Sequence, residues 1–203
     1  MLISLTGKAR SGKDTVANFL CEKYDFVRIG WADTLKKAVY TLNPIISYKA
    51  VYETSYQMLV GYANKDFQEV RLQTTVDEIG WDEAKKIPEV RRLLQVFGTE
   101  IGREMFGQNF WVDITTAKLE GNLNYVFVDT RFDNEAGKVV NLGGTNWQIL
   151  SNRGNDLGTN AGHASEKGIS QDLVQDVIEN YGTIPELYEK IGQMMSEAEN
   201  NGK

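Results

Sequence analysis

MLISLTGKARSGKDTVANFL, residues 1–20, decides how the rest of this chain is read. Met1 to Thr6 is an apolar run with Ile3 and Leu5, the length of a buried strand. Gly7 to Lys13 then reads as a loop, and Thr15 to Tyr24 carries Val16, Phe19, Leu20 and Tyr24 at helical spacing. Strand, glycine-bounded loop and helix is the setting in which GxxxxGK becomes a phosphate cradle. The glycines let successive backbone N–H groups point inward, and the helix N-terminus adds partial positive charge. Lys13 would reach the β- and γ-phosphates of a nucleoside triphosphate. A cation at a helix start opposes the helix dipole, so the sequence assigns a bound anion to offset it. The motif's last position, where a Ser or Thr hydroxyl ordinarily meets Mg²⁺, is Asp14, with Thr15 one step on; both are candidate metal ligands.

Composition bounds the rest. The 203 residues are long enough for one domain with a sizeable core, 41% are hydrophobic and 25% charged, and the net charge is −6 with a pI near 5.0. That balance argues against a broad nucleic-acid footprint, which needs a basic face, but leaves room for a basic pocket. The single cysteine, Cys21, excludes an intrachain disulfide, fits a reducing, cytoplasmic setting and reads as a small buried side chain. The start MLISLTGKAR lacks the features of a signal peptide, and no apolar stretch approaches 18 residues, so a membrane partner is not expected.

In order, Phe26–Trp31 predicts a second strand and Asp33 or Thr34 the cap of a helix that stops at Asn43-Pro44. Residues 45–87 are aromatic-rich and predict two or three short helices, an insertion over the sheet edge. Ile87-Pro88 opens a longer helix, Glu89–Phe106. At 100° per residue its apolar stripe is Leu93, Leu94, Phe97, Ile101 and Met105. Arg92, Gln95, Thr99 and Arg103 fall opposite, a face that suits substrate contact better than plain solvation because it lacks Lys–Glu pairs. Gly98 in mid-helix suggests close packing. After a helix over 109–119, Asn124–Asp129 is an apolar strand ending in a carboxylate, the arrangement in which Asp129 holds Mg²⁺ directly or through water. Thr130-Arg131-Phe132 is the following loop and Asp133-Asn134 caps a helix to Leu142. Thr145–Leu150 is a fourth strand, and residues 151–164 form a Gly- and Asn-rich mobile loop. Val174–Ile178 is a fifth strand and Thr183–Ala198 a closing helix. Apolar strands alternating with helices predict a parallel sheet covered on both faces, with function at the strands' C-terminal ends.

Taken together, SGKDT (11–15), ADTLKKA (32–38), VRRLLQVFGTEIGREMFGQNFWVD (90–113), VFVDTRFDNEA (126–136), HASEKG (163–168) and VIENYGTIPEL (177–187) resemble the bacteriophage deoxynucleoside-monophosphate kinases. The resemblance implies an α/β P-loop kinase, a single domain over 1–203. It has a five-stranded parallel sheet flanked by helices, a helical nucleoside-monophosphate-binding insertion near 34–119 and a short lid loop near 151–168. It also implies transfer of the γ-phosphoryl group of ATP to a deoxynucleoside 5′-monophosphate with Mg²⁺, for DNA synthesis, by a homodimer in the host cytoplasm if the chain is of phage origin. Arg10, Gly12, Lys13, Asp14, Thr15, Arg153 and Asn180 would bind ATP. Leu35, Lys36, Arg92, Gly98, Thr99, Trp111, Asp129, Arg131 and Glu135 would line the acceptor pocket. Lys13, Asp129 and Arg131 would be catalytic, and Asp14, Thr15 and Asp129 would hold the metal.

Arg92 and Arg131 suit a bidentate clamp on the acceptor phosphate. Trp111 offers a face to the base or belongs to the core; Arg153 closes over the γ-phosphate or is solvated. His163, the single histidine, excludes a histidine-based metal site and reads as ordering the helix start at Ser165-Glu166. Asn180-Tyr181-Gly182-Thr183 contacts adenine or is a turn and N-cap. Two other readings stay open: a P-loop kinase with another phosphorylated acceptor, such as dephospho-coenzyme A, and a non-catalytic nucleotide-binding regulator. Against a GTPase-type switch, Asn64-Lys65-Asp66-Phe67 fails the NKxD pattern.

Overall fold

In the computed structural model, which describes residues 1–51, 66–152 and 168–201, five short strands form one parallel sheet. They are β1 (Leu2–Thr6), β2 (Phe26–Gly30), β5 (Asn124–Val128), β6 (Thr145–Leu150) and β7 (Asp176–Glu179), in the order β2-β5-β1-β6-β7. The strands are connected by α1 (Lys13–Tyr24), α6 (Asp133–Asn141) and a 3₁₀ turn (Gln171–Leu173), and α7 (Ile184–Asn201) follows β7. Alternation within the strands serves two cores. Ile3 and Leu5 of β1 and Val126 and Val128 of β5 pack with Val16 and Leu20 of α1 and Ile191 and Met195 of α7. Tyr125 and Phe127 turn the other way, onto Trp31, Val112 and Val139. Each such fully buried side chain contributes about 1.5–3 kcal/mol, which outweighs the weak local propensity of five-residue strands. One polar group is built into this core. Asn146 accepts from the Ser4 hydroxyl and donates to the carbonyls of Ala136 (3.2 Å) and Leu173 (2.8 Å), so its burial leaves no amide N–H unpaired.

The central strand β1 has β5 in register on one side (Ser4↔Phe127) and β6 on the other (Ser4↔Asn146). Its loop and the loop after β5 therefore leave the sheet at the same edge, at the point where the strand order reverses. These elements belong to one compact unit, Met1–Trp31 with Val112–Lys203. None of the described helices is long and apolar enough to cross a membrane.

The second unit, Ala32–Trp111, holds α2 (Asp33–Leu42), β3 (Ile45–Val51), β4 (Asp66–Arg71), α3 (Leu72–Ala84) and α4 (Pro88–Gln95), and runs into α5 (Phe110–Thr116). It corrects the expectation of short helices over 45–87 at residues 45–51 and 66–71, which are strands; α3 bears it out over 72–84, and residues 52–65 lie outside the described residues. β3 and β4 pair antiparallel, with Tyr48↔Glu69 and Lys49↔Gln68, before α3 begins. The physical reason is burial at the base of the hairpin: Ile46 and Val70 pack with Val39, Leu72, Val76, Val90 and Leu93, while residues 47–49 and 68–69 are exposed. That core stabilises a strand that propensity alone leaves ambiguous. The long helix expected over 89–106 is also corrected. It is α-helical to Gln95 and π-helical from Val96 to Met105. Where each N–H bonds five residues back, a 100° phase no longer holds. Met105, placed on the apolar stripe by that phase, is 71% exposed.

Candidate active site

The loop between β1 and α1 wraps its own lysine. Lys13 is 8% exposed, and its Nζ donates to the carbonyls of Gly7 and Lys8, both at 2.9 Å. Asp129 Oδ1 stands 3.4 Å away. These three oxygens offset the cation at the start of α1, the task that the sequence assigns to a bound anion. Gly12, the residue before α1, has φ 106°, a conformation that favours glycine. Asn180, buried at the end of β7, donates from Nδ2 to the Ser11 carbonyl at 2.8 Å, and a Cβ on Gly12 would stand 2.4 Å from that same nitrogen. Asn180 thus acts on the loop itself, a role that its expected adenine contact did not include. Ser11 Oγ is buried and unpartnered, the one such side-chain atom among the described residues.

Arg10, Gly12, Lys13, Asp14, Thr15 and Asn180 line a pocket of about 250 Å³ together with Ile184 and Leu187 of α7. Six of the seven residues expected to bind ATP are brought together there. The seventh, Arg153, lies outside the described residues, as do His163, Ser165, Glu166 and the rest of 153–167. Ile184 and Leu187 escaped the sequence reading, although a helix following the last parallel strand opens on this edge. Asp14 is engaged elsewhere: Arg28 of β2 pairs with its carboxylate.

After β5 the chain turns at Asp129, whose φ of 57° is unusual for a non-glycine residue. The Thr130 N–H donates to the Leu5 carbonyl (3.0 Å), and its hydroxyl accepts from Trp31 Nε1 (2.9 Å), with Trp31 stacked on Phe127. Asp129 is held between Lys13 and Arg131, whose guanidinium is 3.7 Å from Oδ2. Glu135, expected in the acceptor pocket, is buried and accepts the backbone N–H groups of Arg131 (2.9 Å) and Phe132 (3.2 Å). It holds the loop that carries Arg131. Asp133 begins α6, and its carboxylate accepts from the Ser170 N–H (2.8 Å) and hydroxyl (2.6 Å), which lowers its pKa below the ordinary carboxylate range. Glu186 accepts from the N–H and hydroxyl of Thr183, which caps α7 and favours the capping reading for Thr183. Cys21 is half-buried rather than fully buried, and burial raises its thiol pKa.

In the second unit, Leu35, Gly98 and Trp111 come together. Trp111 Nε1 donates to the Gly98 carbonyl (3.0 Å), and Leu35 Cδ2 lies 3.1 Å from where a Gly98 Cβ would stand. Arg92 is exposed and paired bidentately with Glu89, at 2.7 and 2.8 Å, which lowers the Glu89 pKa and raises that of Arg92. This corrects the expectation of a face free of opposite-charge pairs. Lys36 stands 3.9 Å from Asp33, and Thr99 is exposed on the π-helical segment.

A family model described as deoxynucleotide monophosphate kinase matches residues 1–75 and 42–191. The deoxynucleotide monophosphate kinase of Enterobacteria phage T4 is 25% identical over 240 residues, covering 94% of this chain and 96% of that protein. Among solved structures, dephospho-CoA kinase from Campylobacter jejuni superimposes with a TM-score of 0.43 at 16% identity, covering 97% of this chain and 96% of that one.

Proposed function

The chain belongs to the deoxynucleotide monophosphate kinase family, and we propose that it transfers the γ-phosphoryl group of ATP to a deoxynucleoside 5′-monophosphate, yielding ADP and the deoxynucleoside diphosphate. The observation that carries this reading is the enclosure of Lys13, with Asp129 and Arg131 beside it at the C-terminal edge of the sheet. Phosphoryl transfer needs little covalent help from the protein. It needs two anionic groups brought in line and the charge of a loose transition state offset.

The loop residues fit a triphosphate. Lys13 supplies a cation that trades its carbonyl partners for phosphate oxygens, and the orphaned Ser11 hydroxyl offers a buried donor. Half-buried Thr15, exposed Ile184 and buried Leu187 give the nucleoside an apolar and hydroxyl-bearing wall. Arg131 stabilises charge on the transferring group, and Glu135 keeps its backbone in place. Mg²⁺, a hard cation bound by oxygen, suits the Thr15 hydroxyl and the exposed Asp129 carboxylate, whereas the Asp14 carboxylate is committed to Arg28 and is left out of the metal site. When bound, it neutralises phosphate charge. On the acceptor side, Arg92 exchanges Glu89 for the monophosphate, and Leu35, Lys36, Gly98, Thr99 and Trp111 shape the rest.

The test is direct. The protein is incubated with ATP, Mg²⁺ and, separately, each deoxynucleoside monophosphate, the ribonucleotides and dephospho-coenzyme A, and products are resolved by anion exchange. Deoxynucleoside diphosphates formed stoichiometrically with ADP are expected. Exclusive turnover of dephospho-coenzyme A, or slow ATP hydrolysis without transfer, would replace this reading. The homodimer carried over from the family is checked by light scattering.

A further inference from the structure

A carboxylate in the first turn of a phosphate-binding helix presents a problem that the structure resolves at Arg28. Asp14 lines the same pocket as Lys13 and Thr15. There it favours the helix dipole but repels an incoming polyphosphate. Arg28 lies in the middle of β2, the edge strand, where the pattern Phe26-Val27-Arg28-Ile29-Gly30 is otherwise apolar. One guanidinium nitrogen of Arg28 bonds Asp14 Oδ1, and the other donates to Asn18 Oδ1 at 3.1 Å. Asp14 and Asn18 are one helical turn apart, so the planar fork of Arg28 is fixed along the flank of α1.

We propose that Arg28 is a positioning residue for the triphosphate: it holds and neutralises Asp14 so that the phosphate loop presents net positive charge to its ligand. This rests on the phosphate-loop reading above. Both side chains are substantially exposed, 39% for Arg28 and 79% for Asp14, and an exposed pair of this kind contributes little to folding. Its consequence is therefore electrostatic. With Arg28 removed, Asp14 stands uncompensated within reach of the phosphates; with both charges removed, the problem disappears.

The experiment measures the KM for ATP at saturating deoxynucleotide in the wild type, Arg28→Gln, Arg28→Lys and the Asp14→Asn/Arg28→Gln double variant, with thermal unfolding alongside. Arg28→Gln is expected to raise the ATP KM about 5- to 10-fold with kcat within about two-fold and an unchanged unfolding midpoint. The effect should shrink by roughly half or more between low salt and ~0.5 M salt. Arg28→Lys should recover part of it, and the double variant should return the KM to within about two-fold of wild type. An unchanged KM in Arg28→Gln, or a double variant as impaired as the single one, overturns the proposal. So does loss of all turnover in the double variant alone, which would assign Asp14 an essential ligand role. Failure of the underlying reading is distinguished by the wild type: no ATP binding in equilibrium titration means there is no phosphate loop to position.

Discussion

Gly12→Ala tests the phosphate loop where its geometry is tightest, and the structure separates two contributions to the result. The first is conformational. At φ 106° and ψ 11°, a residue with a Cβ is strained by about 1–2 kcal/mol. The second is steric and specific to one neighbour: the new Cβ would lie 2.4 Å from Asn180 Nδ2, so the amide has to move. Moving it breaks the 2.8 Å bond to the Ser11 carbonyl, which costs about 1 kcal/mol, or up to ~3 kcal/mol if the carbonyl is left buried without a partner. Together the two amount to roughly 2–5 kcal/mol against the loop's binding-competent form. At a factor of ten per 1.4 kcal/mol, kcat/KM for ATP should fall about 30- to 4000-fold.

Asn180→Ala alone removes the bond without adding the strain and should lower kcat/KM for ATP by about 5- to 30-fold. The double variant then discriminates. Because Asn180→Ala both clears the clash and has already lost the bond, its effect with Gly12→Ala should fall short of additivity by ~1 kcal/mol or more. Steady-state kinetics with varied ATP, and urea unfolding to exclude global loss of structure, are the measurements. Wild-type ATP kinetics in Gly12→Ala, or strict additivity in the double variant, would refute the claim that Asn180 sets the loop.

If Lys13 acts as proposed, Lys13→Ala should lower kcat by roughly 100-fold or more while the fold survives; near-normal turnover would remove its ammonium from catalysis. Arg92→Ala should raise the KM for the deoxynucleotide and lower kcat/KM by about 2–3 kcal/mol equivalent, with the neighbouring Arg91→Ala mild on every parameter. Equal effects from the two, or an effect confined to ATP, would take this face out of the acceptor site. Asp133 supplies a pH test. Its folded pKa is depressed by Ser170, so the stability it contributes is present above the unfolded value near 3.9 and is lost as pH falls through the lower folded value. Acid unfolding of Asp133→Asn, followed below about pH 4, should be less steep than that of the wild type. Identical acid limbs would mean that the Ser170 bonds are not kept in solution.

The loop around Lys13 was legible because its signals are local. The strand, the glycines, Lys13 and the helix lie within one 20-residue stretch, and Asp129 closes an apolar strand that could sit only in a parallel sheet. What stayed illegible there depends on contacts across the chain. Nothing in the spacing of Ser11 and Asn180, 169 residues apart, reveals the bond between them. Arg28 left a fainter trace, a charge inside an apolar strand. Glu135 is named by resemblance, which transfers a position and not the partners of its carboxylate, the Arg131 and Phe132 N–H groups. The hairpin of β3 and β4 was missed because a two-stranded sheet takes its stability from the core under Ile46 and Val70, which the local pattern does not display.

In the second unit, one assumption accounts for both an agreement and an error. A 100° phase is sound through Gln95, so Arg92 lands on a face away from buried Leu93. Beyond Val96 the helix widens, and Ile101, Met105 and Arg103 no longer follow the same projection. Gly98 in mid-helix was the visible warning, and the structure explains it together with Gly102, which attracted no notice. Trp111 donates to the Gly98 carbonyl, and a Cβ on Gly102 would lie 2.1 Å from the same indole nitrogen. The π-helix is thus seated on the edge of one tryptophan, with the second glycine admitting the ring. The sequence leaves Trp111 open between a platform for a base and a core side chain. Its ring nitrogen is instead committed to the helix backbone, so whatever it offers a ligand comes from the ring face, and a Trp111→Phe exchange would separate the two roles by keeping the face and removing the donor.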